Sequence, residues 1–139
     1  MTITAKIVAD SINAFGIRIT TFELVYPRMI HSELMTHRLF SRNAASSRAI
    51  PISAVIEQVR NNPAVPSHWG RNQPGMQARV ELEGVELDAC KAIWNDAMRS
   101  AVMHAERMTG VNAHKQVANR ILEPFVHMKT VLTATEFNN

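Results

Sequence analysis

The sequence is poor in cysteine and has no long apolar run, and each of these shortages excludes a class of protein. A single cysteine, Cys90, excludes an internal disulfide framework and a Cys-rich zinc site. Its position near the apolar stripe of a predicted helix is typical of a buried, inert thiol. No apolar run approaches the roughly 18 residues of a membrane span, and the amino terminus lacks a signal-peptide pattern. We therefore expect a cytoplasmic protein without membrane association.

Motifs that depend on the spacing of glycine, serine or histidine are also missing. Five scattered glycines match neither a P-loop nor a GxGxxG dinucleotide motif, and no GxSxG elbow is present. His31 and His37 are six residues apart, which is not the i, i+4 spacing of a zinc pair. We predict no metal ion and no catalytic nucleophile, so that a cofactor would supply the chemistry. His31, His114 and His127 are interpreted as structural.

Composition and charge predict one globular domain, 1–139, with an affinity for anions. The 139 residues are 46% hydrophobic and 19% charged, which is ordinary for a soluble protein with a core. The net charge is only +3, but the first part of the chain is more basic than the rest. Before Glu57 there are six Lys and Arg residues against three Asp and Glu residues. Such an excess attracts anions without separating a mononucleotide from a nucleic acid.

Residue patterns predict an α+β fold in which a mixed or antiparallel sheet packs with helices. β-branched and aromatic residues favour strands, and apolar residues at helical spacing favour helices. Ser53 and Asn112 are candidate helix caps. The predicted strands are 4–9, 17–26, 78–83 and 130–135, the predicted helices are 28–37, 54–61, 86–109 and 113–122, and a further helix is expected to begin at 136. The segment 62–75, rich in proline and glycine, is expected to be a loop that either covers a ligand or packs through Trp69.

The segment 36–48, THRLFSRNAASSR, has the composition of an anion-binding loop. It holds three arginines (Arg38, Arg42 and Arg48) and three serines, with no carboxylate. Arginine presents a planar fork of donors that matches phosphate or carboxylate oxygens, and small polar side chains let backbone N–H groups approach. We interpret this segment as a nucleotide or flavin phosphate site.

The spacing within this segment resembles the signature of the flavin-dependent thymidylate synthases. The shared pattern is His37-Arg38-x-x-Ser41-x-Asn43-x-x-Ser46-x-Arg48. The preceding strand, TTFELVYP, resembles the segment that precedes the signature in the family. Downstream, KQVANRILEP is similar to the helix with a substrate-binding arginine, and TVLTATEFNN is similar to a flavin-contacting strand and helix start. This sequence departs from the family's pattern at three positions: Thr36 replaces an arginine, Ala44 replaces a glutamate and Glu33 replaces a glutamine. These departures are similar to a divergent branch with a TxHRxFSRN-like loop and a WGxNQPGMQ segment.

The resemblance implies a thymidylate synthase-like α+β fold and a methyltransferase that converts dUMP to dTMP. It implies FAD as cofactor, with NADPH and methylenetetrahydrofolate as co-substrates and no enzyme nucleophile. It also implies a homotetramer with active sites at subunit contacts. Carried over by position, the cofactor-binding residues would be Thr36, His37, Arg38 and Asn139. The substrate-binding residues would be Glu33, Ser41, Asn43, Ser46, Arg48 and Arg120.

The family continues beyond the position of Asn139 into a segment with a Leu-Arg pair whose arginine activates the uracil ring. We therefore expect that the C-terminal part is missing from 1–139 and that this chain alone turns over weakly or not at all. The alternative hypothesis is a non-catalytic nucleotide- or nucleic-acid-binding module that uses the same basic segment. The matched spacing favours dUMP over nucleic acid as the partner.

Overall fold

The computed structural model describes residues 3–137, which form one antiparallel sheet and a group of helices. The strands are β1 (Thr4–Ile12), β2 (Arg18–Pro27), β3 (Ser41–Ala44) and β4 (His127–Ala134). The helices are α1 (His31–Met35), α2 (Ile52–Asn61), α3 (Gly84–Gly110) and α4 (Lys115–Ala118). Two 3₁₀ segments, Arg28–Ile30 and Asn119–Phe125, precede α1 and follow α4. The predicted α+β class with an antiparallel sheet is confirmed.

The sheet has the order β1-β2-β4-β3, and every neighbouring pair is antiparallel. Tyr26 lies opposite Met128, and Ala44 lies opposite Thr130, so these four side chains share one face of the sheet. Met128 and Thr130 are buried on this face, whereas Lys129 between them is exposed on the other. The 3₁₀ turn Arg28–Ile30 connects β2 to α1, and the Tyr26 hydroxyl lies 2.7 Å from Nδ1 of His31 at the start of α1.

The main hydrophobic core lies where α2, α3 and the segment Asn119–Phe125 meet. Val59 and Leu122 are completely buried there and pack with Val102 of α3. Burial of a Val or Leu side chain contributes roughly 1.5–3 kcal/mol each. The apolar stripe predicted for residues 86–109 is buried only in part, since Met98, Val102 and Ala105 are buried but Ile93 is 68% exposed. The helix α3 extends over Gly84–Gly110. No helix within residues 3–137 combines the length and apolarity that a membrane crossing requires.

Two predicted helices are shorter in the structure because 3₁₀ turns replace part of them. The prediction of a helix over 28–37 is wrong at both ends, since Arg28–Ile30 is a 3₁₀ turn and α1 ends at Met35. The predicted helix 113–122 is α-helical only over Lys115–Ala118 and continues as 3₁₀ through Phe125. Pro124 lies inside that segment rather than ending it. A 3₁₀ turn uses i, i+3 hydrogen bonds, which apolar spacing alone does not distinguish from α-helix.

The two predicted caps are also wrong. The helix α2 begins at Ile52 after Pro51, so Ser53 lies inside its first turn and caps nothing. The helix α4 is capped by His114, whose Nδ1 accepts a hydrogen bond from the Gln116 backbone N–H at 3.2 Å. Asn112 instead adopts φ of 63°, the left-handed conformation that asparagine tolerates after a helix end.

The predicted strand 78–83 is reduced to a single antiparallel bridge between Gly70 and Glu81. The preceding loop packs against α3 through aromatic edges: Trp69 lies 6.1 Å from Trp94, at 88° between the rings. The Trp94 indole also donates a hydrogen bond of 3.2 Å to the Ala64 carbonyl oxygen. Of the two interpretations of this loop, packing through Trp69 is therefore the one seen here. The predicted helix at 136 is not formed at residues 136–137, and its remainder lies outside the described residues.

Candidate functional site

A basic cleft lies beside α1, above the strands β3 and β4. It has a volume of about 270 Å³. Its lining includes Arg28 from the turn before α1, His31 from the start of α1 and Arg120 from the segment after α4. Residues 44–48 complete the lining on the side of β3. The cleft thus brings together Ser46, Arg48 and Arg120, three of the residues assigned to substrate by the resemblance. We use the name basic cleft for the volume lined by Arg28, His31, residues 44–48, Arg120 and Met128.

A short turn after β3 presents Ser46 and Arg48 to the basic cleft. The Arg48 backbone N–H donates to Ser46 Oγ at 3.3 Å, and the Ala49 N–H donates to the Ser46 carbonyl at 3.0 Å. Serine favours such turns because its hydroxyl can replace a backbone acceptor. The Ala45 N–H continues the pairing of β3 with β4 by donating to the Lys129 carbonyl at 3.0 Å. The turn is therefore fixed at its start by the sheet.

The other end of this turn is held by Asn119, a buried residue of the last 3₁₀ segment. Asn119 Nδ2 donates hydrogen bonds of 2.8 Å to the Ser47 carbonyl and 3.0 Å to the Ile50 carbonyl. Asn119 is only 2% exposed, so its amide has lost water and needs these carbonyl groups as partners. Arg120 follows Asn119 immediately. The same segment thus anchors the turn and supplies a guanidinium.

One carboxylate links two of the arginines. Glu123 Oε1 lies 3.1 Å from Arg28 Nη2 and 3.2 Å from Arg120 Nη1. Arg48 forms no ion pair within residues 3–137. Three guanidinium groups against one carboxylate leave the basic cleft positively charged. It is suited to a dianion such as a phosphate monoester.

His31 forms the inner wall of the basic cleft and is tied to the sheet through Tyr26. Its Nδ1 lies 2.7 Å from the Tyr26 hydroxyl, which lies 2.7 Å from Thr130 Oγ1. Burial lowers the pKa of His31, and the charges of Arg28 and Arg42 lower it further. The ring is therefore kept neutral near pH 7. The structural interpretation of His31 missed its place in the cleft.

Arg28 was also missed as a site residue, although the sequence contains a signal for it. Arg28 and His31 are three residues apart, directly after Pro27, and one helical turn places such a pair on the same side. The signature that resembles a known family begins at residue 36, so it does not include Arg28. Helical spacing from Arg28 was the available clue.

Arg42, in contrast, does not enter the basic cleft. Its Nη1 donates to the Leu34 carbonyl at 3.1 Å and also to the His37 carbonyl. Carbonyl groups at a helix end lack intrahelical donors, and a cation there satisfies them. Arg42 belongs to the segment interpreted as an anion-binding loop, but in the structure it fixes the end of α1.

A second, apolar pocket lies between β1, β2 and α1, and His37 is the one described residue assigned to the cofactor that lines it. It has a volume of about 410 Å³, and its lining includes Leu24, Tyr26, Ile30, Glu33 and His37. Glu33, expected to bind substrate, thus lies with His37 rather than with Arg48. We call this the apolar pocket.

The other assigned residues that the structure describes, Thr36, Arg38, Ser41 and Asn43, line neither the basic cleft nor the apolar pocket. Thr36 Oγ1 donates to the Glu33 carbonyl at 2.7 Å, and Arg38 is exposed. Ser41 and Asn43 pair with β4 opposite Thr133 and Val131, on the face away from Arg42 and Ala44. They are strand residues and not part of a loop. Asn139 lies outside the described residues.

Comparison with known proteins gives a fold but no sequence relative. No family model matches the chain, and no curated protein matches it in sequence. The fold is similar to that of a UMP/dUMP methylase, PolB, from Streptomyces cacaoi. With PolB bound to 5-Br UMP, the TM-score is 0.77 at 16% identity, over 96% of this chain and 72% of that chain. With PolB bound to 5-Br dUMP, the TM-score is 0.75 at 16% identity, over 96% and 73%.

Proposed function

We propose that this protein is a flavin-dependent thymidylate synthase that methylates dUMP in its basic cleft. The observation that carries the proposal is the convergence of Ser46, Arg48 and Arg120 from distant parts of the chain on one positively charged cleft. The fold shared with a methylase of UMP and dUMP supports the same substrate class. Sequence spacing and spatial arrangement both favour a nucleoside monophosphate.

In this proposal the basic cleft holds the phosphate of dUMP. Arg48 has no acidic partner within the described chain, so its guanidinium can form paired hydrogen bonds with phosphate oxygens. Glu123 orients Arg28 and Arg120, which limits the side-chain freedom lost when the phosphate binds. The contribution of these residues is to bind and orient the nucleotide so that its base is held beside the cofactor.

The residues around His37 fit a flavin dinucleotide in their chemistry. The His37 ring stacks on Phe40 at 5.4 Å and 25°, which gives a planar surface for a ring system. The apolar pocket next to it falls within the usual size range of ligand sites, roughly 300–1,000 Å³. Arg38 is exposed and has no ion pair within residues 3–137, so it is available for a diphosphate. Reduced flavin supplies the electrons that complete a transferred one-carbon unit as a methyl group.

The binding test uses dUMP and FAD with the protein. We expect dUMP to bind and FAD to be retained, with weak or no release of tritium from 5-tritiated dUMP by this chain alone. Absence of both flavin binding and dUMP binding would sink the proposal. Binding of dUMP without flavin would favour the non-catalytic module, and steeply salt-dependent binding to DNA or RNA would favour a nucleic-acid partner.

We also propose that a second copy of the chain covers the β1–β2 hairpin, as in the tetramer implied by the resemblance. Apolar residues are exposed along this hairpin: Ile7 is 53% exposed, Ile12 67% and Phe15 89%. An unpaired edge strand with exposed apolar side chains is unusual in a monomer. Light scattering should therefore show an oligomer for the wild type and a smaller species for Phe15→Lys.

The matched control for this experiment is Val111→Lys. Val111 is 79% exposed and lies after α3, away from the hairpin. We expect this variant to keep the oligomeric state of the wild type. A monomeric wild type, or equal effects of the two substitutions, would contradict the proposed hairpin interface.

A further inference from the structure

Three polar side chains form a hydrogen-bonded series that runs from the sheet to the basic cleft. Thr130 is completely buried and Tyr26 is 6% exposed, so neither hydroxyl can turn freely to water. The Tyr26 hydroxyl is 2.7 Å from Thr130 Oγ1 on one side and 2.7 Å from His31 Nδ1 on the other. At most one of these two contacts can use the phenol proton.

The chemistry of the three groups fixes the direction of this series. A phenol is a better proton donor than an aliphatic hydroxyl, and a neutral imidazole nitrogen is a better acceptor than a hydroxyl oxygen. The favoured arrangement therefore has Tyr26 donating to His31 Nδ1 and Thr130 donating to the Tyr26 oxygen. The proton of the neutral imidazole is then on Nε2. The lowered pKa of His31, caused first by burial, agrees with a neutral ring.

Nε2 is the ring atom of His31 that the series leaves available. It has no hydrogen-bond partner within residues 3–137, and the ring lines the basic cleft next to Arg28 and Ser46. A neutral N–H donor adds a hydrogen bond to an anion without adding a fourth positive charge to the arginines already there. Its fixed orientation avoids part of the entropy cost of binding.

We infer that His31 is a phosphate-binding residue of the basic cleft, donating through Nε2, and that Tyr26 is the residue that positions it. This inference rests on the proposed function, in which the bound anion is the phosphate of dUMP. It assigns His31 a contact that the signature at 36–48 does not include. Tyr26 itself lines the apolar pocket, whereas His31 lines the basic cleft.

The test combines nitrogen NMR of the wild type with binding measurements on variants. Long-range proton–nitrogen correlation should show the His31 tautomer with its proton on Nε2, and Tyr26→Phe should alter this pattern. His31→Ala should weaken binding of dUMP and of inorganic phosphate by about tenfold or more, as expected for a hydrogen bond to a charged group. His31→Gln, whose amide can replace the Nε2 donor, should recover part of the affinity. Deoxyuridine, which lacks phosphate, should bind these variants and the wild type equally.

The control is His104→Ala, since His104 is exposed on α3 and its hydrogen bonds within residues 3–137 are to Ser100 of its own helix. Unchanged phosphate and dUMP affinity in His31→Ala, or a wild-type proton on Nδ1, would overturn the inference while leaving the proposed function intact. Phosphate binding that depends on His31, without any dUMP binding, would support the inference and overturn the proposed function. Absence of binding of either probe by the wild type would overturn both.

Discussion

The buried Asn119 side chain donates a 2.8 Å hydrogen bond to the carbonyl oxygen of Ser47, 72 residues away in sequence. This contact connects the segment that supplies Arg120 with the turn that supplies Ser46 and Arg48. Neither segment alone has enough polar contacts to hold a phosphate. The arrangement of the basic cleft therefore depends on the Asn119 amide, although Asn119 does not itself line the cleft.

Replacement of Asn119 by alanine should destabilise the protein and weaken nucleotide binding. Asn119→Ala leaves the Ser47 and Ile50 carbonyls without their buried donor, which costs about 1–3 kcal/mol of unfolding free energy. Denaturant unfolding measures this loss, and calorimetry measures the affinity for dUMP. Asn95→Ala, at an exposed position of α3, is the control and should change neither. A stable Asn119→Ala protein with wild-type affinity would contradict this account of the turn.

Replacement of Trp69 should affect stability but not dUMP affinity. The Trp69 ring packs edge-on against Trp94, and no residue of the loop 62–75 lines the basic cleft as described. Trp69→Ala should lower the unfolding free energy by about 1–3 kcal/mol. Trp69→Phe should restore much of it, because an aromatic edge remains. If Trp69→Ala instead weakened dUMP binding in a protein of unchanged stability, the loop would be a ligand cover.

The carboxylate of Asp10 should stabilise the β1–β2 hairpin in a pH-dependent way. Hydrogen bonds from Arg18 and then Thr20 lower the pKa of Asp10 from 3.8 to about 2. A pKa that is lower in the folded chain stabilises the fold fully above about pH 4. This stabilisation is lost as the pH falls through about 2.

The check is the melting temperature of the wild type and of Asp10→Asn as a function of pH. The variant should melt lower near neutral pH, and the difference should shrink below about pH 4. Asp96→Asn, on the exposed side of α3, provides the matched removal of a charge. A difference between wild type and Asp10→Asn that stays constant across this range would argue against the assigned cause.

The fold was largely predictable because its strands and its longest helix have strong local patterns. β-branched residues mark β2 and β4, and the apolar stripe marks α3, so local preference and tertiary packing agree there. The 3₁₀ segments were not predictable in this way. Whether a turn closes with i, i+3 or i, i+4 bonds depends on what packs against it, as at Leu122 in the core.

The sequence predicted only those residues of the candidate site that belong to a recognisable motif. Ser46, Arg48 and Arg120 were found through spacing that resembles a known signature. Arg42 looked equivalent to Arg48 in sequence, but its position in β3 brings its guanidinium to the carbonyl groups at the end of α1. His31 was missed because its role depends on Tyr26 and Thr130, which come from separate strands. Local sequence does not encode a contact between such distant residues.

The most direct test of the central claim compares the binding of dUMP and deoxyuridine to the wild type and to Arg48→Ala by calorimetry. The account predicts that dUMP binds more tightly than deoxyuridine and that Arg48→Ala weakens dUMP binding by about 10- to 100-fold, the range for a hydrogen bond to a charged group. Arg99→Ala, an exposed arginine of α3, should leave the affinity unchanged. Equal affinity for the two ligands, or wild-type dUMP affinity in Arg48→Ala, would contradict the assignment of the basic cleft to a nucleotide phosphate.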